Sequence, residues 1–308
     1  MCAVMSPNAA VVYSPLYECD IGPHVFPVEK FRGVVERLIA AGEVDRGALL
    51  TPELAPSEDL LLVHTAEYLD DLNHLRWTPR TAYSELPLTA EIVYAYVLAA
   101  GGTTRASREA LRRGAGINVG GGFHHAYADM ASGFCYINDL AVAIRVLQRD
   151  GLVRRAAVVD CDLHQGNGTA RIFQGDPDVF TFSIHQENLY PVKEHSDLDI
   201  GLDDFTGDDE YLARLEAALP AVLDAHRPEI VLYQAGADPY REDQLGSLRL
   251  TMAGLEQRDR MVLEGCARRG IPAVVTLGGG YARQVSDTIA IHHQTCRVAL
   301  TLDVARTP

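Results

Sequence analysis

Between residues 158 and 168 an apolar run ends in carboxylates and an imidazole at alternate positions: Val158-Val-Asp-Cys-Asp-Leu-His-Gln-Gly-Asn-Gly168. On an extended chain, side chains at i, i+2 and i+4 share one face, so Asp160, Asp162 and His164 converge for as long as the strand persists. Gly166 and Gly168 end it soon afterwards. Two carboxylates and an imidazole brought together in this way are ligands for a divalent cation. A strand end running into a polar turn would explain any one of these residues alone.

Three further stretches have the same form, an apolar run that breaks on glycine beside a reactive side chain. Ala115-Gly-Ile-Asn-Val119 runs into Gly120-Gly-Gly-Phe-His-His125, Glu229-Ile-Val-Leu-Tyr233 into Gln234-Ala-Gly-Ala-Asp238, and Pro272-Ala-Val-Val-Thr-Leu277 into Gly278-Gly-Gly-Tyr281. Taken together, Asp162, His164 and Asp238 would hold a metal and leave a position open for water or substrate. Zinc suits this set, and its oxygen-rich character also admits Fe(II) or Mn(II). The adjacent His124 and His125 can serve as acid and base beside a metal-bound water. Tyr281 could donate its hydroxyl to a developing oxyanion. The sum is metal-assisted amide hydrolysis.

The elements between these stretches must bring them to one place. Helical spacing marks Phe31, Val34, Val35, Leu38 and Ile39, with a stop at Gly42, and Thr65 is placed to cap another helix. Residues 90–113 are rich in alanine and free of proline, which predicts a long helix despite Gly101 and Gly102. Further helices are predicted over 140–148, 168–173, 211–225 and 255–269, each between two of the apolar runs, with another apolar run over 179–184. Residues 77–87 and the acidic stretch 194–210 read as loops, the second as a solvated one that could attract a cationic substrate. Strands alternating with helices predict an α/β fold, a parallel sheet flanked by helices on both faces. With no repeat or low-complexity linker, residues 1–308 read as a single catalytic domain. In such sheets ligands bind outside the carboxyl ends of the strands, where all four stretches end.

The 42 acidic residues against 27 basic ones give a formal charge of minus 15, which opposes a phosphate backbone and argues against nucleic acid as a direct partner. The positive charge is nearly all arginine, since only Lys30 and Lys193 are lysines. Cysteines 2, 19, 135, 161, 266 and 296 form no C-x-x-C pair, so the expectation is reduced thiols and a cytoplasmic protein. Cys135 and Cys161, beside motif residues, read as buried inert thiols. Residues 1–10 lack the charge and apolar pattern of an export signal, and the apolar stretch 92–100 is too short to span a bilayer.

Over nearly its whole length the chain resembles the metal-dependent histone deacetylase superfamily, with its arginase/deacetylase α/β fold. The resemblance rests on Val11-Val-Tyr-Ser-Pro15, Leu62-Val-His-Thr-x-x-Tyr-Leu69, Gly122-Phe-His-His125 and Gly133-Phe-Cys-Tyr-x-Asn-Asp139. It continues through Asp160-x-Asp-x-His-x-Gly-x-Gly168, Ala235-Gly-Ala-Asp238 and the glycine-tyrosine turn. His164-Gln-Gly-Asn-Gly168 and Asn188-Leu-Tyr-Pro191 look most like class IV enzymes. The resemblance implies deacylation of an acyl-lysine protein or peptide, or of an acylated small amine, with long fatty acyl groups among the candidates. By position, Asp162, His164 and Asp238 would bind zinc and His125 would be the general base. His124 would be its electrostatic partner backed by Asp160, and Tyr281 would polarise the scissile carbonyl. Gly133, Phe134 and Tyr190 would line the acyl-lysine tunnel, with Leu245 near its inner end. A structural potassium ion would use Asp160, Ser183 and backbone carbonyls of Asp162, His164 and Ile184.

Class I members carry Asp where this chain has Asn167, the partner of the catalytic histidine. A neutral amide stabilises an imidazolium less than a carboxylate does, so His125 is expected to have a lowered pKa. An arginase-like two-metal site would need a carboxylate at position 166, where the chain has glycine. An acetylpolyamine amidohydrolase and a catalytically silent acyl-lysine-binding scaffold are the remaining rivals. Glu85 is a candidate rim acceptor for a substrate backbone. His24 carries no role by spacing, and His292-His293 reads as ordinary helix surface and core.

Overall fold

The computed structural model describes residues 9–302; Cys2 and most of the stretch read for an export signal lie outside them. Seven parallel strands form one sheet, β1 (Ala9–Val12), β2 (Ala115–Asn118), β3 (Ala156–Asp160), β4 (Val179–Gln186), β5 (Leu198–Leu202), β6 (Ile230–Gln234) and β7 (Ala273–Thr276). Their order across the sheet is β1-β2-β7-β6-β3-β4-β5. The intervening helices are α1 (Lys30–Ala40), α2 (Ser57–Leu60), α3 (Ala66–Asn73), α4 (Pro79–Ala82) and α5 (Ala90–Arg113). They continue with α6 (Asp139–Arg149), α7 (Asn167–Phe173), α8 (Asp208–Pro220), α9 (Met252–Ala267) and α10 (Val285–Leu300).

The central strands are apolar on both faces because helices cover both. Val158, Leu232 and Val274 pack with Ala106 and Ala110 of α5 and with Leu140, Ile144 and Leu147 of α6. Their neighbours Val159, Val231 and Val275 point the other way, into a cluster with Leu215 of α8, Leu255 and Val262 of α9 and Ile291 of α10. One level of the sheet is polar across six strands. In register across it stand Asn118, Thr276, Gln234, Asp160, Ser183 and Asp199. The first five are buried, and they bond to one another and to the loops above: Thr276 Oγ1 donates to Gln234 Oε1 at 2.7 Å, and Gln234 Nε2 donates to the Gly122 carbonyl at 2.7 Å. This row is where the apolar core stops and the functional end begins.

Helix α5 is as long as its composition predicts, and its two glycines are explained by contact. A Cβ at Gly101 would lie 1.8 Å from the Glu53 carbonyl oxygen and one at Gly102 would lie 2.2 Å from the Tyr17 hydroxyl. Bare backbone there lets two other segments lie directly on the helix. Thr89 caps its start by accepting from the Ile92 amide, and Gly114, at φ +102°, ends it. Thr65 caps α3 in the expected way.

Three local readings are corrected. Residues 77–87 are not all loop, because a capping box between Thr78 and Thr81 folds a turn of helix, α4. Helical structure around 211–225 starts earlier, at Asp208, where three acidic residues face the positive end of the helix dipole, and after Pro220 it passes into a π-helical segment, Ala221–His226. The acidic stretch 194–210 is not a solvated loop. It contains edge strand β5, in which Leu198, Ile200 and Leu202 alternate with polar or glycine positions, and several of its carboxylates accept hydrogen bonds. Asp197 accepts from the Thr181 amide at 2.8 Å, Asp199 from Gln165 Nε2 at 2.8 Å, Asp204 from Gln186 Nε2 at 2.7 Å and Asp208 from the Thr251 amide at 2.9 Å. Charge density masked a strand whose acids are acceptors for neighbouring donors.

Candidate active site

The four reactive stretches leave the sheet from β2, β7, β6 and β3, which are adjacent in the strand order, so their ends meet above the polar row. Strand β3 stops at Asp160, and Asp162 and His164 lie on the loop beyond it. Alternation along an extended chain therefore does not bring them together; backbone amides do. Asp162 Oδ2 accepts from the Gly279 amide at 2.9 Å, Asp238 Oδ1 from the Leu163 amide at 3.0 Å and Asp162 Oδ1 from the His164 amide at 3.0 Å.

The result is one compact cluster. The donor atoms of Asp162, His164 and Asp238 lie within 4.8 Å of one another, and all three residues are buried. His164 Nδ1 sits 3.3 Å from Asp162 Oδ1 and 3.2 Å from Asp238 Oδ2. Burial pushes the Asp238 carboxyl up to about 6, and the neighbouring Asp162 carboxylate adds to the shift. Two carboxylates held this close in a dry site repel unless a positive charge lies between them, so the donor set fits a divalent cation. A carboxylate at position 166 has no room, since even a Cβ at Gly166 would lie 2.3 Å from Asp160 Oδ2. That steric bar counts against a second metal of the arginase kind.

His124 and His125 follow the strand-β2 glycine turn, whose shape is fixed from two sides. Asp139 accepts the amides of Phe123 at 2.7 Å and Gly122 at 3.0 Å, while Asn138 Nδ2 donates to the Ala126 carbonyl at 3.1 Å. Gly122 has φ +109°, and a Cβ there would lie 2.3 Å from Gln234 Oε1, so no other residue fits. The two imidazole rings lie 4.1 Å apart between centroids and meet unlike partners. His124 Nδ1 donates to Asp160 Oδ2 at 2.6 Å, whereas His125 Nδ1 lies 2.7 Å from Asn167 Oδ1. Burial would lower the His124 pKa, but the Asp160 carboxylate, followed by the Asp162 and Asp238 charges, outweighs it and holds it at about 9. At His125 burial, reinforced by His124 and His164, carries the pKa well below its ordinary value, against the smaller raising effect of the Asn167 hydrogen bond.

A cavity of about 270 Å3 leads to these groups. Its walls are Phe134 and Tyr190, both facing the functional rings, with Leu189 and Leu245 beside them and Tyr281, His125 and His164 also lining it. Gly133 also lines it; a Cβ there would lie 2.6 Å from His125 Cδ2 and 2.8 Å from the Tyr190 hydroxyl, so the cavity needs glycine. Phe134 itself holds φ +62°, with its amide bonded to the Ser84 carbonyl at 2.9 Å. Burial, then the Asp238 and Asp162 charges, keep the Tyr281 phenol protonated. Glu85 lines the same cavity with its side chain exposed.

Asp160 and Ser183 are register partners on β3 and β4, and Ile184 follows within the sheet. The Ser183 hydroxyl is bonded to His185 Nδ1 at 2.9 Å.

Several residues that spacing did not mark also belong here. Lys30, wholly buried at the start of α1, donates its ammonium to the Gly278 carbonyl beneath the tyrosine turn. Asp243 accepts the Tyr281 amide at 2.7 Å and the Leu245 amide at 2.9 Å, joining turn and tunnel wall. Arg258, buried in α9, donates to the carbonyls of Cys161 at 3.1 Å and Gly236 at 2.6 Å, each close in sequence to a cluster aspartate. His24 packs edge-on against Phe134, with centroids 4.6 Å apart. Among these only Lys30 carried a signal, as one of two lysines, the other being Lys193, in an arginine-rich chain. The His292-His293 pair is corrected in part: neither is surface, His292 being fully buried behind Gly280 and His293 bonded to Glu43 Oε2 at 2.8 Å. The five cysteines within the described residues are free and buried, and burial raises the Cys161 thiol to about 12. No helix of the described residues is long and apolar enough to cross a membrane.

Comparison with known proteins agrees with this geometry. Residues 24–296 match the family model of the histone deacetylase domain. Histone deacetylase 2 of Arabidopsis thaliana is 30% identical, over 92% of this chain and 78% of that protein. An uncharacterized protein of Picosynechococcus is 41% identical, over 94% of this chain and 97% of its own length. Among solved structures, a histone deacetylase homologue from Aquifex aeolicus superposes with a TM-score of 0.82 at 26% identity, covering 94% of this chain and 84% of that one.

Proposed function

The chain belongs to the histone deacetylase family, and from that premise we propose that it hydrolyses the amide bond of acylated lysine side chains. The observation carrying this reading is a pair of buried histidines with unlike partners beside a three-donor cluster at the end of a narrow aromatic-walled cavity. In this reading residues 1–308 act as one catalytic unit, and its motifs resemble the class IV branch.

Asp162, His164 and Asp238 would hold a divalent cation, which when bound supplies Lewis acidity to a water and to the scissile carbonyl. The donor set suits zinc first and Fe(II) next. Asp160, Ser183 and the carbonyls of Asp162, His164 and Ile184 would hold a structural potassium ion; the register pairing of Asp160 with Ser183 supports this.

The chain's own groups then divide the work. Gly133, Phe134 and Tyr190 enclose the lysine methylenes, and Leu245 and Leu189 flank the acyl end. His125, neutral through burial, takes a proton from the attacking water on its Nε2 and delivers it to the leaving amine. His124, kept charged by Asp160, stabilises the negative charge that develops beside it. The Tyr281 hydroxyl donates to the carbonyl oxygen as that charge builds. Free buried cysteines support a reducing compartment, the cytoplasm.

The test is turnover by metal-loaded protein, with zinc and with Fe(II), of lysine peptides carrying acyl groups of increasing length, beside acetylpolyamines. Acyl-lysine hydrolysis that collapses in Tyr281→Phe is the expected result. Preferential turnover of acetylpolyamines would reassign the enzyme to small amines. Binding of acyl-lysine without turnover of any substrate would make it a silent scaffold.

A further inference from the structure

The base assigned to His125 needs its proton on one nitrogen and its lone pair on the other, and an amide partner does not by itself fix which. Asn167 offers His125 an acceptor in one orientation and a donor in the other, a choice a carboxylate never presents. In the flipped orientation the amide NH2 would face Nδ1 and force the proton onto Nε2, leaving no base toward the cavity.

The surroundings remove this ambiguity. Asn167 Nδ2 donates to the Tyr127 hydroxyl at 2.8 Å, and that hydroxyl donates in turn to Glu194 Oε1 at 3.5 Å. A carboxylate only accepts, so the hydroxyl proton goes to Glu194 and its oxygen must accept from Asn167. The amide carbonyl is then left for His125, and a carbonyl only accepts, so Nδ1 carries the hydrogen. The far end of the chain is anchored. Gln165 Oε1 accepts the Glu194 amide at 2.8 Å and Gln165 Nε2 donates to the Glu194 carbonyl at 2.7 Å, with Gln165 itself buried beside His164.

We propose that Tyr127 and Glu194 are positioning residues that hold the Asn167 amide in one orientation and thereby select the tautomer of His125 whose Nε2 is free to act as base. The consequence for catalysis rests on His125 being that base; the tautomer itself does not.

The experiment reads the two separately. Histidine-15N-labelled, chelated protein is examined by long-range proton–nitrogen NMR, which distinguishes the two neutral tautomers without any turnover. Wild type is expected to show His125 as the Nδ1–H form, Tyr127→Phe a mixture of both forms, and Glu194→Ala a smaller shift in the same direction. In the metal-loaded protein Tyr127→Phe lowers kcat by about 10-fold, the scale of losses seen when a ring's orienting partner is removed, with little change in KM. Introduced together with Asn167→Asp, the same Tyr127→Phe change costs less than about 2-fold relative to Asn167→Asp alone, because a carboxylate has no wrong way round. A pure Nδ1–H form in Tyr127→Phe overturns the proposal, as does an equal kcat loss in the Asp background; an unshifted Glu194→Ala removes Glu194 from it. If no acyl substrate is turned over at all, the functional reading fails while the NMR result still decides the tautomer.

Discussion

His124 and His125 are neighbours in sequence, equally buried, and each has its Nδ1 within a hydrogen bond of a single polar partner. They differ in that one partner is a carboxylate and the other an amide. At His124 the Asp160 carboxylate, with the Asp162 and Asp238 charges, outweighs burial and holds the ring at about 9, while at His125 the amide bond raises the pKa too little to offset burial and the neighbouring His124 and His164. Burial alone therefore does not decide the charge of an imidazole; its bonded partner and the charges around it do as well. In the proposed reading, two adjacent copies of one side chain become a fixed positive charge and a neutral proton acceptor.

The sharpest way to break this contrast is to remove each ring. His125→Ala should lower kcat/KM by about 10²–10⁴-fold, the usual share of a general base, and His124→Ala by less. The reverse ranking would exchange their roles. Asp160→Asn, which gives His124 the kind of partner that His125 has, should cost about 10–100-fold in kcat with KM nearly unchanged. Asn167→Asp makes the converse change: the new carboxylate raises the His125 pKa, so the acidic limb of the pH–rate profile moves up by about one unit, equivalent to about 1.4 kcal/mol. An unmoved limb would mean that Asn167 does not tune the base.

The smallest effect is on folding of the chelated protein, and its sign differs between the rings. The raised His124 contributes stability that is fully present below its unfolded value of 6.5 and lost as pH rises through about 9. The lowered His125 must charge on unfolding in acid, so its cost appears as pH falls below 6.5. Urea midpoints should show His124→Gln flattening the slope between these two pH values and His125→Gln flattening it only on the acid side.

The sequence made legible what repeats a local form. Four apolar runs ending in glycine marked Asp162, His164, Asp238, His124, His125 and Tyr281, because strand hydrophobicity and the need for close approach are both written in adjacent residues. The strand order was not legible, since nothing in β2 says that β7 will lie beside it. Nor were the roles of Lys30, Asp243 and Arg258, which bond to main chain as far as 248, 38 and 97 residues away in sequence. A side chain that bonds to main chain leaves no partner type to search for. Strand β5 was hidden for a different reason: its acids resemble a solvated face unless the donors that meet them, Gln165, Thr181 and Gln186, are already known to be near.

The strand order also has a consequence during synthesis. β6 and β7 occupy the middle of the sheet, between β2 and β3, yet among the strands of the described residues they are the last two to be synthesised. Without β7, β1-β2 and β6-β3-β4-β5 have no strand joining them, and each presents an edge that the folded sheet covers, of the kind open to pairing with other chains. Asp238 and Tyr281 arrive with the same late segment. The segment 230–281 thus carries both the strands that join the two parts of the sheet and two of the clustered reactive groups, and a chain stopped before Ala273 has neither β7 nor the tyrosine turn.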